Sequence, residues 1–241
     1  MLGSRLYLPL PLPPPFRGLV STRRGGVSPP PFDSLNLGPG TADSEEAIRE
    51  NWRRLSAAAG APEGRAWMTQ VHGEVVRRAD GPGFAGEGDA IWTDRKDLPL
   101  IIKVADCAGV AICHAPSGRL GNAHAGWRGA AAGVVSRLLE AMEVPAAEVV
   151  AAISPHLGPC CFEVGPEVGE AFGGRFCVPR QGDRLTLDLG AALRAELQQR
   201  GVPEASIHAS GACTSCEREL YFSHRRDRGR TGRMATLVWR T

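Results

Sequence analysis

The chain has 241 residues, of which 43% are hydrophobic and 22% are charged, and its formal net charge is +2. This composition predicts a globular protein with a sizeable core and gives no argument for nucleic acid or a membrane as a partner. No apolar window has the length that a bilayer crossing needs. The seven cysteines, an odd number, argue against a secreted disulfide framework and favour a cytoplasmic protein with reduced thiols.

The N-terminal segment, residues 1–17, is rich in proline and is expected to run as irregular or polyproline-like chain across a surface. It lacks both a basic region ahead of a continuous apolar stretch and a small-residue cleavage site, so it does not resemble a secretory signal. Residues 18–241 contain no repeat and no convincing linker. We therefore expect them to form a single domain.

Helical and strand-like patterns follow one another along this domain. Asp43 and Glu46 form a capping box that predicts a helix over Asp43–Ala59, which Gly60 ends. The other predicted helices are Gly129–Val144 and Asp188–Arg200. The predicted strands are Ala66–Val71, Glu74–Arg78, Leu98–Ala105, Val110–His114, Leu120–His124, Val149–Ile153, Ile207–Cys213 and Met234–Trp239. Because strands outnumber helices and do not strictly alternate with them, an α+β domain with mixed sheets is favoured over a doubly wound parallel sheet.

The sequence HAGWRG at 124–129 marks the junction between a predicted strand and a predicted helix. It places the imidazole of His124 and the guanidinium of Arg128 beside glycines, which let the backbone approach a ligand closely. The unpaired amides that open a helix favour an anion. We therefore expect an anion to bind beside Arg128.

Three ligand-type residues, His72, Cys107 and His124, stand at the ends of apolar runs. Their spacing matches no local zinc-finger or HExxH pattern, but such dispersal is typical of a catalytic metal site assembled from strand ends. Two imidazoles and a thiolate would leave a fourth tetrahedral position for water or substrate. Spacing alone leaves the alternative open that the histidines are turn residues and Cys107 is a small buried hydrophobe.

Four further cysteines have less defined roles. The adjacent Cys160 and Cys161 are interpreted as buried packing residues. Cys213 and Cys216 form a C-x-x-C pair that is either redox-active or half of a zinc knuckle. Because the chain has no second C-x-x-C or C-x-x-H pair, the sequence does not complete a knuckle.

Taken together, these segments resemble the laccase-domain, or YfiH-like, family over about residues 18–240. The matching blocks are STRRGGVS at 21–28, LNLG at 35–38, QVHG at 70–73, DA at 89–90, Asp94, ADC at 105–107, HAGWRG at 124–129, GPCCFEVG at 158–165, LDL at 187–189, CT at 213–214, FSHRR at 222–226 and GRM at 232–234. The combination of HAGWRG with QVHG and ADC is highly specific.

The resemblance implies a four-layer α/β/β/α fold with mixed sheets and a zinc ion, or alternatively copper, held by His72, Cys107 and His124 as catalytic metal ligands. It implies phosphorolysis of adenosine, inosine, guanosine and S-methyl-5′-thioadenosine, with adenosine deamination as a second reaction. The expected partners are purine nucleosides and phosphate, and the expected assembly is a monomer or weak homodimer. The residues assigned to substrate and phosphate are Arg23, Asn36, Gln70, Arg128 and Arg225.

The chain departs from the family pattern beside the metal ligands. Val104 stands where the family often has threonine, Ala108-Gly109 replaces a common Leu-Pro, and SPHL at 154–157 replaces the usual Gly-Pro-x-Ile. These changes bear on substrate preference more than on the metal. Three other functions stay open: a copper-dependent phenol oxidase, a hydrolase with Cys107 as nucleophile and His124 as base, and a zinc-stabilised interaction module.

Overall fold

The computed structural model of the chain describes residues 5–241, so the first four residues of the proline-rich segment lie outside the described residues. The helices are α1 (Glu45–Ala59), α2 (Trp127–Ala132), α3 (Val134–Met142), α4 (Pro166–Ala171) and α5 (Leu189–Gln199). The strands are β1 (Tyr7–Pro9), β2 (Phe16–Ser21), β3 (Ala66–Thr69), β4 (Val76–Arg78), β5 (Gly83–Glu87), β6 (Ala90–Thr93), β7 (Leu100–Val104), β8 (Ala108–His114), β9 (Arg119–Ala125), β10 (Val149–Ile153), β11 (Glu163–Val164), β12 (Cys177–Pro179), β13 (Leu185–Leu187), β14 (Ile207–Ala209) and β15 (Met234–Arg240). None of the helices in the described part has the length and apolar character that crossing a membrane requires.

Within residues 5–241, two six-stranded sheets form the centre of the fold. Sheet 1 has the strand order β1-β2-β15-β7-β3-β5, and sheet 2 has the order β14-β10-β8-β9-β6-β4. Each sheet contains both antiparallel and parallel neighbours: β3 is parallel to β5 and β7 in sheet 1, and β4 is parallel to β6 in sheet 2. A separate three-stranded sheet has the order β11-β13-β12. The expectation of an α+β fold with mixed sheets is confirmed.

The alternation of side chains along the strands builds the layers. In β7, Leu100 and Ile102 enter the core between the two sheets, whereas Ile101 packs with α1 on the opposite face of sheet 1. In β8, Ala111 belongs to the core between the sheets, whereas Ile112 packs in the core formed with α3 and α5. The resulting order, α1, sheet 1, sheet 2, then α3 with α5, is the α/β/β/α arrangement that the family resemblance implies.

The first helix ends as predicted but begins at a different cap. Ser44 is the N-cap, and its Oγ accepts the Ala47 N–H at 3.1 Å. The carboxylate of Asp43 instead accepts hydrogen bonds from two side chains of the preceding loops, so the predicted capping box of Asp43 with Glu46 is wrong. Gly60, with φ of 59°, adopts the left-handed conformation that ends the helix.

The helix predicted over Gly129–Val144 is two helices, α2 and α3. Gly133 separates them because its φ of 85° is left-handed and interrupts the helical hydrogen bonds. Part of the proline-rich segment is also more regular than predicted, since β1 pairs with β2 antiparallel. The predicted strand Ile207–Cys213 stops at Ala209. The short strands β2, β5 and β6 and the three-stranded sheet were not predicted.

The register of sheet 2 brings the ligand-type residues together. Gly109 of β8 is opposite His124 of β9, so Cys107, which immediately precedes β8, lies at the same edge of the sheet. Ala90 of β6 is opposite Ala123 of β9, which places Asp89 beside His124. The loop after β3 then supplies His72 from sheet 1. The candidate site is therefore assembled where strand ends of both sheets meet.

A buried amide joins the two sheets near their centre, and its removal gives a direct test of the packing. The Nδ2 of Asn122 donates to the carbonyl oxygens of Leu100 and Thr236, and its Oδ1 accepts from Thr236 Oγ1. We predict that Asn122→Ala lowers the free energy of unfolding by about 1–3 kcal/mol, because buried polar groups lose their partners. Gln198→Ala, which removes an exposed amide from α5, is the control and should change it by less than about 0.5 kcal/mol. The free energies are measured by urea unfolding. Equal decreases for the two variants would contradict the role given to Asn122 between the two sheets.

Candidate metal centre and anion pocket

His72, Cys107 and His124 converge although they come from three separate segments. One ligand atom from each residue lies within 4.8 Å of the others. The rings of His72 and His124 meet edge to face, with centroids 4.9 Å apart. His124 is buried, Cys107 is half-buried and His72 is exposed, so the cluster opens to solvent on the side of His72. This is the juxtaposition that the sequence analysis predicts.

The carboxylate of Asp89 organises this cluster and is fully buried. Its Oδ1 accepts hydrogen bonds from His124 Nδ1 at 2.8 Å and from the His72 backbone N–H at 2.9 Å. Its Oδ2 accepts the backbone N–H groups of Gly73 at 2.7 Å and Val71 at 3.2 Å. One carboxylate therefore fixes both the ring of His124 and the loop that carries His72. It also leaves His124 Nε2 as the nitrogen free to bind a metal.

The charges of Cys107 and His124 are coupled. Burial disfavours the thiolate, but His124 and His72 outweigh it and lower the pKa of Cys107 from 9.0 to about 6. Burial likewise disfavours the imidazolium, but Cys107 and Asp89 outweigh it and raise the pKa of His124 from 6.5 to about 9. Burial raises the pKa of Asp89 itself, but His124 and the Gly73 amide bring it below its ordinary value. The cluster is thus built to hold Cys107 as a thiolate.

Two residues at the site have a backbone conformation that L-amino acids rarely adopt. The φ of His72 is 61°, and the φ of Asp106, next to Cys107, is 86°. Each is held by several hydrogen bonds: Asp89 fixes the His72 loop, while the Asp106 carboxylate accepts from Thr214 Oγ1 at 2.7 Å and from the Arg225 N–H at 2.6 Å. Such strain is retained where the surrounding structure over-determines it, and it is common at functional sites.

The donor set fits a metal of zinc type. A thiolate and two imidazole nitrogens are borderline-soft ligands that suit zinc and also copper, and three protein ligands leave a position for water or substrate. The hydrogen bond from Asp89 to the distal nitrogen of His124 is the carboxylate–histidine contact that commonly orients a metal ligand. The chemistry of these three residues and the spacing of their ligand atoms, all within 4.8 Å of one another, fit a bound metal.

A pocket of about 700 Å³ adjoins the cluster and is rich in positive charge. Its cationic residues are Lys103, Arg128, Arg225 and Arg233. None of these four forms an ion pair with a carboxylate among the described residues. Arg225 and Arg233 instead donate to backbone carbonyl oxygens. Asp106 is the one carboxylate among the lining residues, so the four cations leave an excess of positive charge that favours an anionic ligand.

Arg128 and Lys103 are the two cations least committed to the protein. Arg128 is exposed, and its guanidinium stacks over the Trp127 ring with a distance of 4.3 Å to the centroid. Burial, with a contribution from Arg233, lowers the pKa of Lys103 below its ordinary value. A bound anion would offset the repulsion between Lys103 and Arg233. The apolar walls of the same pocket include Trp127 and Phe162.

The predicted substrate residues divide between the pocket and the structure behind it. Gln70, Arg128 and Arg225 line the pocket, but both polar atoms of the Gln70 amide bind the backbone of Lys103. Asn36 is fully buried, and its Oδ1 accepts the N–H groups of Gly38 and Arg233, which line the pocket. Asn36 therefore lies one layer behind the pocket, where it positions the backbone and does not line the cavity.

Arg23 lies outside this pocket, although the sequence analysis assigns it to substrate or phosphate. Its guanidinium pairs with Asp33, donates to the carbonyl of Arg218 and stacks on Phe222. These contacts make it a support for the adjoining loops and explain why it is drawn away from the cavity. It lines a different surface pocket together with Arg24 and Arg226.

Three residues of the site, Asp89, Lys103 and Arg233, were not predicted from the sequence to act there. Asp89 immediately precedes an apolar strand, which is the only local signal of its role. Lys103 sits inside the predicted strand Leu98–Ala105 and gives no signal of facing a pocket. Arg233 stands in the GRM block at 232–234, to which no role was assigned. Asp106, the middle residue of the ADC block, binds Thr214 and Arg225, whereas Asp89 is the residue that orients His124.

Comparisons with known proteins show the family to which the chain belongs. A family model described as multi-copper polyphenol oxidoreductase laccase matches residues 17–241. A purine nucleoside phosphorylase of Pseudomonas aeruginosa is 38% identical over 236 residues, which cover 95% of each protein. The purine nucleoside phosphorylase YfiH of Escherichia coli is 37% identical over 243 residues, which cover 98% of this chain and 99% of that protein.

The likeness extends to a solved structure. The crystal structure of the Bacillus licheniformis hypothetical protein YfiH is 28% identical and superposes with a TM-score of 0.95, covering 100% of this chain and 98% of the other. Sequence and fold thus agree over nearly the whole length. The chain belongs to the laccase-domain family of YfiH and YlmD type.

Proposed function

We propose that this chain is a metal-dependent purine nucleoside phosphorylase. The observation that carries the proposal is that a His-Cys-His ligand set and a group of unpaired cations share one pocket of about 700 Å³. The relatives named purine nucleoside phosphorylase support an enzyme of this type. The proposed substrates are adenosine, inosine, guanosine and S-methyl-5′-thioadenosine, and adenosine deamination is proposed as a second activity.

The metal in this proposal is zinc, with copper as the alternative, and its ligands are His72, Cys107 and His124. When bound, it would supply a Lewis acid at the floor of the pocket. Asp89 orients His124 and holds the His72 loop, so the ligands are preorganised before the metal arrives. The low pKa of Cys107 keeps the sulphur in the form that binds metal.

Phosphorolysis exchanges one bond of C1′ for another. The bond from C1′ to purine N9 breaks, an oxygen of hydrogen phosphate forms the new bond to C1′, and the proton that the phosphate gives up ends on the departing purine. The ribose passes through a cationic transition state, so phosphate must already lie beside it. We assign phosphate binding to Arg128 and Lys103, with Arg225 and Arg233 as further cations of the same pocket. The rings of Trp127 and Phe162 offer apolar surface for the purine.

The proposal includes the setting of the enzyme. It acts on small molecules in the cytoplasm, as a monomer or weak homodimer, and residues 18–241 form the catalytic domain. Of the substrate residues predicted from the sequence, Gln70, Arg128 and Arg225 line the pocket, and Gln70 acts there by holding the backbone of Lys103. Asn36 acts by positioning Arg233, and Arg23 has no direct role.

Two other activities use parts of the same site. The family model's description favours phenol oxidation by copper, but the chain has no closely spaced histidines of the kind that a multicopper centre needs. The coupled pKa values of Cys107 and His124 match those of a thiolate nucleophile with its histidine. Neither activity uses the unpaired cations beside the cluster, and phosphorolysis does.

One assay separates the three activities. We predict that the zinc-loaded protein converts inosine to hypoxanthine and ribose 1-phosphate only when phosphate is present. Cys107→Ala should lose this turnover and the metal bound at His72, Cys107 and His124, because a ligand of that set is removed. Free ribose formed without phosphate would point to a hydrolase, and phenol oxidation that requires added copper, without nucleoside turnover, would point to an oxidase.

The role of Asp89 gives a second prediction. Asp89→Asn should weaken zinc binding by roughly 10- to 100-fold, because His124 and the His72 loop lose their common acceptor. Zinc affinity is measured by competition with a chromogenic chelator. The matched control is Asp94→Asn. Asp89 directly precedes β6, and Asp94 is a half-exposed carboxylate that directly follows the same strand. An unchanged zinc affinity in a folded Asp89→Asn protein would refute the positioning role.

The assignment of phosphate to Arg128 gives a third prediction. Arg128→Ala should raise the KM for phosphate by roughly tenfold or more, since a hydrogen bond to a charged group contributes about 1.5–3 kcal/mol. Zinc content should not change, because Arg128 is not a ligand. Arg23→Ala, checked for folding, should leave the phosphate KM within about twofold, in keeping with a support role. If Arg23→Ala raised the KM for phosphate and Arg128→Ala did not, phosphate binding would be assigned to Arg23 instead.

A further inference from the structure

A second cluster of ligand-type side chains lies next to the wall of the pocket. It consists of Cys160, Cys161, Cys213 and Cys216, whose sulphur atoms all lie within 4.8 Å of one another. Along the sequence these residues form two close pairs that are far apart, so neither pair alone indicates a complete site. The fold joins them into a set of four thiols.

The distances between the sulphur atoms suit a tetrahedral metal. Cys216 Sγ lies 3.6 Å from Cys160 Sγ and 3.5 Å from Cys161 Sγ. A tetrahedral zinc ion with Zn–S distances near 2.3 Å places its sulphur ligands about 3.8 Å apart. The four thiols therefore already stand close to the spacing that a four-thiolate zinc site requires.

Hydrogen-bonded turns hold both pairs in place. In the first turn, the N–H groups of Cys161 and Phe162 donate to the carbonyl of Gly158. In the second, the N–H of Glu217 donates to the carbonyl of Cys213. Cys213 Sγ accepts the Gly158 N–H at 3.3 Å, which links the turns directly. Because their backbones are fixed, the two turns present the sulphur atoms without needing to close around a ligand.

The environment of Cys213 favours a thiolate. Its burial opposes ionisation, but backbone N–H groups of Gly158, Cys216 and Ser215 directed at the sulphur outweigh it and lower its pKa. The neighbouring thiols oppose further ionisation: desolvation and the side chains of Cys213 and Cys216 raise the pKa of Cys160 to about 12. A divalent cation removes that conflict, because it binds several thiolates at once.

We propose that Cys160, Cys161, Cys213 and Cys216 bind a zinc ion as a four-thiolate structural site, separate from the His72–Cys107–His124 set. Binding transfers the thiol protons to solvent and forms four zinc–sulphur bonds. Four sulphur ligands close the coordination sphere, so this ion would have no position for substrate. The proposal does not depend on the function assigned to the pocket.

The site would cross-link two segments that shape the pocket. Phe162, which lines the pocket, directly follows Cys161. Thr214, which follows Cys213, donates to the carboxylate of Asp106 beside Cys107. Zinc binding at the four cysteines would therefore fix the spacing of the pocket wall relative to the loop that carries Cys107.

Metal counting on the full chain tests the proposal. Protein purified under reducing conditions with zinc should contain about two zinc ions per chain. Cys107→Ala should retain about one, held by the four cysteines, and the double variant Cys160→Ser/Cys216→Ser should also retain about one, held by the other site. Cys177→Ser, which changes a half-buried cysteine outside both clusters, is the control and should retain both. Loss of all zinc in Cys107→Ala would overturn the proposal.

A second measurement uses the unaltered chain, so it does not depend on how the variants fold. The exposed Cys160 and Cys216 are alkylated with and without two added equivalents of zinc per chain, enough for both proposed sites, and the labelled peptides are identified by mass spectrometry. Zinc should slow the labelling of both residues by roughly tenfold or more while leaving Cys177 unchanged. Equal labelling with and without zinc would contradict the proposal. So would a disulfide that forms within the cluster of the freshly reduced protein even when zinc is present.

Discussion

The hydrogen bonds of the buried Asp89 carboxylate are the interaction on which the site depends. Its two oxygens accept three backbone N–H groups from the 71–73 loop and the Nδ1–H of His124. An ionised carboxylate without such partners would be very costly in a core. Because the loop comes from sheet 1 and His124 from sheet 2, this single group ties together the two sheets at the point where the chemistry is proposed.

The same constraint explains the polarity of the pocket. Asp89 is buried behind the cavity, and its carboxylate accepts hydrogen bonds from four donors of the protein. It therefore does not neutralise the cations that line the pocket. Asp106 is similarly occupied by Thr214 and the Arg225 N–H. Asp89 is thus turned towards the protein and the Asp106 carboxylate is held by its two donors, while Lys103 and Arg128 line the ligand space. An arrangement of this kind can hold a metal and an anion side by side.

The family motifs predicted the ligand residues, and local patterns predicted most long elements, but each missed what depends on tertiary contacts. The strand Val149–Ile153 and the end of α1 at Gly60 follow from apolar runs and a C-cap, which are local features. The break at Gly133 was missed because a single glycine is tolerated in many helices. β6, Ala90–Thr93, is short and buried on both faces, so it carries no alternating pattern.

The site residues likewise divide into those that local motifs predict and those that only tertiary contacts reveal. His72, Cys107 and His124 stand in conspicuous motifs, whereas Asp89 acts through hydrogen bonds that only the folded register creates. Arg23 stands in an equally conspicuous motif, yet Asp33 and Phe222 hold it away from the pocket. The four cysteines show most clearly what the sequence does not reveal, since their two pairs come together only in the folded chain.

The reverse reaction tests the central claim most directly. Because a phosphorylase must catalyse its reaction in both directions, the zinc-loaded protein should form inosine and inorganic phosphate from hypoxanthine and ribose 1-phosphate. A phenol oxidase or a cysteine hydrolase has no route to that product. Formation of inosine that depends on the bound metal is the predicted result. Consumption of inosine in the forward direction without any nucleoside synthesis in reverse would contradict the account.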